Sequence, residues 1–158
     1  MTQRLEYPKL SHELIQHLFA MTQALKKALE PGLVDLVNIR ASQLNGCAFC
    51  LDMHIKEAKI RGERELRLHH VQIWRESPLF TEREKAVLEW TEAVTRIADG
   101  GVSDELFQRM KTLFSDKEIS DLTFAVGVIN QWNRLAITFR TEPGSADKML
   151  GLDRANLG

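Results

Sequence analysis

Apolar residues recur at helical spacing along almost the whole 158-residue chain, and this feature most restricts its fold. No stretch alternates between apolar and polar residues as a half-buried strand does, and the glycines and prolines fall between the periodic segments. The pattern therefore predicts an all-α fold. The length fits one domain over residues 1–158, and we expect a single-domain helical bundle.

Capping residues and helix breakers predict where the first helices begin and end. Ser11 can cap a helix of about 18 residues that stops at Pro31. The side chains predicted to line its inner face are Leu14, Ile15, Leu18, Phe19 and Leu25. A second helix is predicted over Leu33–Leu44, and a third opens at Cys47 and lasts until Gly62, because glycine suits the left-handed cap between two helices.

The second half of the chain carries its own helix signals. A fourth helix is predicted after Gly62 and ends at Ser77, before a proline. Three further helices are predicted to start at the capping box of Thr81 with Glu84, at Ser103, and at the capping box of Ser115 with Glu118. Residues 141–158 carry few apolar anchors, so we predict a tail that docks on the core or on a neighbouring subunit.

Composition and charge argue against partners bound by bulk electrostatics. Lysine plus arginine total 21 and aspartate plus glutamate 22, so net charge gives no reason to expect nucleic acid or an anionic membrane surface. The start of the sequence lacks the apolar stretch of a secretory signal, and no later segment has the roughly 20 apolar residues that span a bilayer. We therefore expect a cytoplasmic protein with neither nucleic acid nor membrane as a partner.

The only two cysteines of the chain, Cys47 and Cys50, are predicted to lie in the first turn of the third helix. In a reducing compartment, such a pair is more often catalytic or metal-binding than a structural cross-link. Free N–H groups and the positive dipole end favour thiolate over thiol in a first helical turn. His54 follows Cys50 on the same helical face, where it can accept the thiol proton or stabilise the thiolate.

These three residues predict peroxide reduction by a dithiol. Attack of a thiolate on a peroxide leaves a sulfenic acid, and a second thiol nearby can condense with it to give a disulfide before further oxidation occurs. We assign Cys50 as the attacking residue because it is closer to His54, and Cys47 as the resolving residue. Cys47 also lies near the face of His54, so this assignment is a preference.

Two other interpretations of the cysteines stay open. They could simply line a packed helix together with the histidine, since free cysteine is among the most buried residue types. A zinc site could use both thiolates and His54 with Asp35 as a fourth ligand, although no second Cys/His pair follows. The corresponding non-enzyme is a helical oligomer whose cysteine pair binds zinc or senses oxidation.

The residues around the cysteines resemble the alkylhydroperoxidase D-like branch of the carboxymuconolactone decarboxylase-like superfamily. The similarity covers the segment LVDLVNIRASQLNGCAFCLDMHIKEAKIRG, and WRESPLFTEREKAVLEWTEAVTR and NQWNRLAITFR also look like this branch. The resemblance implies an alkyl hydroperoxide reductase-like peroxidase in which Cys50 becomes sulfenic and Cys47 resolves it, with no metal and no flavin. It also implies assembly through helices into trimers or hexamers, and electron supply by a dihydrolipoyl protein or another dithiol.

The chain departs from the pattern of this branch at two positions. The resemblance makes His54 part of a proton relay whose glutamate is replaced here by Asp35, one methylene shorter, and places Phe49 where the best-characterised members have histidine. The runner-up is therefore a dithiol/disulfide oxidoreductase or stress-response protein with little peroxide turnover. Residues that recur in this branch but that we leave outside the predicted site are Asn130, Trp132 and Asn133.

Overall fold

Helices form the whole fold, and no strand occurs in residues 2–157, the part of the chain that the computed structural model describes. The helices are α1 (Tyr7–Leu10), α2 (His12–Ala28), α3 (Pro31–Asn45), α4 (Ala48–Ile60), α5 (Glu65–His70), α6 (Glu82–Thr95), α7 (Asp104–Leu113), α8 (Asp116–Phe139) and α9 (Asp147–Leu150). Short 3-10 turns cover Val71–Ile73, Ile97–Asp99 and Leu152–Ala155. The prediction of an all-α fold is confirmed.

The local signals in the sequence account for most helix boundaries. Both predicted capping boxes are formed, at the starts of α6 and α8, and each satisfies backbone N–H groups that a helix start leaves unpaired. Helix α3 begins with Pro31, two residues earlier than predicted, because proline fits the first turn of a helix. It ends at Gly46, whose φ of 68° lies in the left-handed region that favours glycine.

Two predictions about the helices are wrong. The predicted fourth helix is split, since α5 ends at His70 and a tighter 3-10 turn follows over Val71–Ile73. The inner face predicted for the first helix is wrong in part: Leu25 is buried and Leu18 packs against the core, but Leu14 and Phe19 of α2 are 70% and 50% exposed. Helix α2 contacts α1, α3 and α8, and Leu14 and Phe19 stay largely exposed despite these contacts.

Helix α3 lies at the centre of the bundle, in contact with α4, α6 and α8. Its side chains join two apolar clusters: the larger one extends to α8 and includes both cysteines, and the smaller one lies between α3, α4 and the segment from α5 to α6. Ile39 and Ala41 are completely buried in this arrangement. No helix within residues 2–157 is both long and apolar enough to cross a membrane.

The C-terminal strap, defined as residues 141–157, folds back onto α4 of the same chain. The 3-10 turn at its end packs on α4 and buries Leu152 and Ala155. Asp52 of α4 accepts a hydrogen bond from the backbone N–H of Gly144 at 3.1 Å. Lys56 binds both Asp52 at 2.9 Å and Asp147 of the strap at 2.5 Å. The strap therefore covers one side of α4, the helix that begins directly after Cys47.

Candidate active site

The two cysteines occupy the turn between α3 and α4. The N–H of Cys47 bonds back to the carbonyl of Ser42 at 3.0 Å, which closes α3 across the left-handed Gly46. Cys47 is the N-cap of α4, and its sulfur accepts a hydrogen bond from the N–H of Cys50 at 3.3 Å. The sulfurs of Cys47 and Cys50 lie within bonding distance and form a disulfide, with the Cα atoms 5.4 Å apart.

A cluster of amides, half-buried at Asn45 and buried at Asn130 and Asn133, links this turn to α8. The side-chain N–H₂ of Asn45 donates to the side-chain oxygens of Asn130 at 3.0 Å and Asn133 at 2.8 Å. Asn133 in turn donates to the hydroxyl of Ser42 at 3.1 Å. These bonds fix the last turn of α3 against α8, two residues before Cys47. Asn130 and Asn133 are three residues apart and therefore share one face of α8, which is the signal for this cluster in the sequence.

Cys50 and His54 share the buried face of α4. The buried residues of this helix are Cys50, His54 and Ala58, each four positions after the last. The exposed fractions of Cys50 and His54 are 1% and 4%, so both lie away from bulk solvent. Residues at this spacing are neighbours on a helix, so the imidazole of His54 lies one turn from Cys50.

Glu57, which the sequence analysis missed, is the carboxylate that contacts His54. Its Oε2 lies 2.9 Å from Nδ1 of His54, and its Oε1 accepts from Nζ of Lys26 of α2 at 2.7 Å. Burial would raise the pKa of Glu57, but the hydrogen bond and charge of His54, followed by those of Lys26, lower it from 4.5 to about 2. The spacing of three residues between His54 and Glu57 was the available signal.

Replacing Glu57 by glutamine should make the free energy of unfolding less sensitive to acid. The pKa of Glu57 is lower in the folded protein than its ordinary value, so its carboxylate stabilises the fold fully above pH 4.5 and loses that contribution as pH falls toward about 2. Urea unfolding across this window should show a smaller loss for Glu57→Gln than for the wild type. Glu13→Gln, at an exposed position of α2, should keep the wild-type loss, and equal losses in all three proteins would contradict the expectation.

Asp35 lies on α3 with its carboxylate held by Arg61, just beyond the end of α4. The guanidinium binds both oxygens of Asp35, Nε at 3.0 Å and Nη2 at closer range. Burial lowers the pKa of Arg61 from its ordinary value. The structure therefore brings Cys47, Cys50 and His54 together on one stretch of chain, while the described hydrogen bonds of Asp35 go to Arg61.

An apolar groove lies between α2 and α8, and neither the two cysteines nor His54 is among the residues that line it. Its volume is about 520 Å³, and its lining includes Leu18, Met21, Phe124 and Val128. Among residues 2–157, no group of three or more histidine, cysteine, aspartate or glutamate side chains is arranged to hold a metal ion.

Comparison with known proteins identifies relatives that cover most of the chain. The sequence model of the Carboxymuconolactone decarboxylase family matches residues 8–93. YdfG of Bacillus subtilis, an uncharacterised protein, is 34% identical over 146 residues, which are 92% of this chain and 99% of YdfG. YnjA of Escherichia coli, also uncharacterised, is 29% identical over 117 residues, which are 74% of this chain and 64% of YnjA.

Solved structures share the same helical arrangement. ATU0492 from Agrobacterium tumefaciens, a protein of unknown function described as a candidate AhpD antioxidant defence protein, has a TM-score of 0.87 and 42% identity, covering 90% of this chain and 98% of its own. The debrominase Bmp8 has a TM-score of 0.76 and covers 93% of this chain and 79% of its own. Its identity of 15% means that the likeness to Bmp8 shows the fold alone.

Proposed function

The chain belongs to the carboxymuconolactone decarboxylase family, as the residues around its cysteines predict, and from this premise we propose that it is a thiol-dependent hydroperoxide reductase. The observation that carries the proposal is the Cys47–Cys50 pair, with its sulfurs at bonding distance at the start of α4 and His54 one turn further on. The AhpD-like fold is compatible with a peroxidase-related oxidoreductase.

In the proposed cycle, the Cys50 thiolate attacks one oxygen of a hydroperoxide. An S–O bond forms, the O–O bond breaks, and the other oxygen leaves as an alcohol after taking a proton that His54 can supply. The Cys47 thiolate then attacks the sulfur of the Cys50 sulfenic acid, so that the S–S bond forms and hydroxide leaves as water after taking a proton. Two electrons have passed from the sulfurs to the peroxide, and an external dithiol returns them by disulfide exchange.

The hydrogen bond at the N-cap supports the role of Cys47 in this cycle. The N–H of Cys50 points at the sulfur of Cys47, and an N–H donor in a first helical turn stabilises negative charge on that sulfur. A stabilised thiolate suits Cys47 both as the resolving nucleophile and as the group that leaves when the reductant attacks Cys50. The neighbouring His54 supports the complementary role of Cys50 as the residue attacked by peroxide oxygen.

The proposal also includes a substrate, a reductant and an oligomeric state. With both sulfurs almost fully buried, the site suits a small hydroperoxide and a reductant with a slender dithiol arm, such as a dihydrolipoyl protein in the cytoplasm. We include Asp35 as a residue that helps to orient the relay from its ion pair with Arg61. A trimer or hexamer formed through helices would cover exposed apolar side chains such as Leu14 and Phe124, which lie on α2 and α8.

A stoichiometric dose of organic hydroperoxide tests the proposal directly. The reduced wild-type protein should lose two hydrogen atoms by mass spectrometry as Cys47 and Cys50 form a disulfide, and it should consume peroxide continuously when dihydrolipoamide is present. Protein alkylated at both cysteines before the dose is the control and should consume none. Reduced protein that keeps its mass while peroxide persists would overturn the proposal.

The second candidate is a dithiol/disulfide oxidoreductase with little peroxide turnover. It is favoured by Phe49, an apolar side chain packed against the larger core cluster beside Cys50, because it offers no proton donor there. This candidate predicts rapid exchange with a small disulfide but slow reaction with hydroperoxide.

A further inference from the structure

The ring of His54 is held by one nitrogen and leaves the other without a partner. Nδ1 lies 2.9 Å from Oε2 of Glu57, whereas Nε2 is buried and has no hydrogen-bond partner among residues 2–157. A buried polar atom that lacks a partner carries a free-energy cost, so its presence in a nearly closed site calls for a functional explanation. In a neutral imidazole, the nitrogen that carries the proton is a donor and the other is an acceptor, so the place of the proton decides what Nε2 can do.

We propose that Glu57 is a positioning residue that holds the proton of neutral His54 on Nδ1 and thereby leaves the lone pair on Nε2, the atom that exchanges protons with the cysteine pair. This inference rests on the proposed function for its catalytic part. Its structural part, the position of the proton, rests on the contact between His54 and Glu57 and on the charge of the Glu57 carboxylate.

The chemistry of Glu57 determines the direction of this hydrogen bond. Glu57 is ionised at neutral pH, because its Oε1 binds the ammonium of Lys26 and its pKa lies below its ordinary value, and an ionised carboxylate only accepts hydrogen bonds. Nδ1 of His54 must therefore be the donor. In a neutral imidazole one nitrogen donates and the other accepts, so Nε2 becomes the acceptor.

A variant of Lys26 can show whether Glu57 positions the imidazole of His54 or only links two helices. Lys26 binds Oε1 of Glu57 while His54 binds Oε2, so each carboxylate oxygen has its own partner. If Glu57 served only to tie α2 to α4, removing either member of the Lys26–Glu57 ion pair would have the same effect. If Glu57 positions the imidazole, only removal of Glu57 should move the proton of His54.

Long-range ¹H–¹⁵N correlation spectra of the reduced, ¹⁵N-labelled protein would test the proposal. Spectra from about pH 5 to about pH 9 identify the signals of neutral His54. In the wild type, Nδ1 should have the shift of a protonated nitrogen and Nε2 that of an unprotonated one. In Glu57→Leu the proton should move at least partly to Nε2, and in Lys26→Met, the matched control, it should stay on Nδ1.

Three results would overturn the proposal: a wild-type proton on Nε2, a Glu57→Leu spectrum like the wild type, or equal changes in Glu57→Leu and Lys26→Met. If Glu57→Leu does not fold, the wild-type spectrum still decides. We further expect Glu57→Leu to form the Cys47–Cys50 disulfide at least about tenfold more slowly with peroxide than Lys26→Met does. A wild type with the proton on Nδ1 but no peroxide reaction would overturn the proposed function and leave the proton assignment intact.

Discussion

A Cys50→Ser protein is expected to lose hydroperoxide turnover to the level of the uncatalysed reaction, a loss of at least about 1000-fold. Serine has nearly the size of cysteine, but its hydroxyl stays protonated at neutral pH and does not attack a peroxide oxygen. The measurement is peroxide consumption with dihydrolipoamide as the reductant. Circular dichroism of the variant should match that of the wild type, because the exchange removes one buried sulfur without adding volume.

The Cys47→Ser protein supplies the matched comparison, because the two variants remove the same atom one turn apart. It should also stop turning over, yet it should react once with peroxide and accumulate a sulfenic acid on Cys50 that a sulfenic-acid reagent labels. The opposite pattern, with labelled Cys47 in Cys50→Ser and no reaction in Cys47→Ser, would reverse the two roles. Continued turnover by Cys50→Ser would refute the thiol mechanism.

Asn133→Ala is expected to lower the free energy of unfolding by about 2–4 kcal/mol. Asn133 is fully buried and bonds the amide of Asn45 and the hydroxyl of Ser42, so alanine would leave a cavity and two polar groups that have lost a partner. Urea unfolding of both proteins measures the difference.

The control for this prediction is Gln131→Ala, two positions earlier on α8 at an exposed site, where a change within about 0.5 kcal/mol is expected. Because Asn45 lies two residues before Cys47, the alanine variant should also oxidise more slowly than the control. A stability loss below about 1 kcal/mol would show that the amide cluster does not anchor the turn.

The parts of the fold that depend on local interactions were predictable from the sequence. A capping box involves residues three positions apart, and both predicted boxes, at Thr81 and Ser115, are formed. The end of α3 was also predictable, because Gly46 adopts the left-handed backbone that commonly ends a helix and that other residues rarely adopt. Helical spacing also predicted that Cys50 and His54 share one face of a helix, and both are buried residues of α4.

The parts that depend on contacts between distant segments were not predictable. Apolar spacing identified α2 as amphipathic, but it could not distinguish a face packed on the core from one left open, and so Leu14 was placed incorrectly. The resemblance implies that Asp35 is the carboxylate of the relay. In the folded structure Asp35 binds Arg61, and Glu57 lies between His54 and Lys26 of another helix, contacts that join residues far apart in the sequence or that helical spacing alone does not select.

The C-terminal strap has a practical consequence for anyone who shortens or tags this protein. Lys56 of α4 forms an ion pair with Asp147 of the strap. The strap therefore helps to hold α4, the helix that begins at the cysteine pair, in its place. A truncated chain would keep both sulfurs and the imidazole, but on a helix braced from one side only. Any loss of reactivity after truncation would then reflect weakened support, even though every reacting atom was still present.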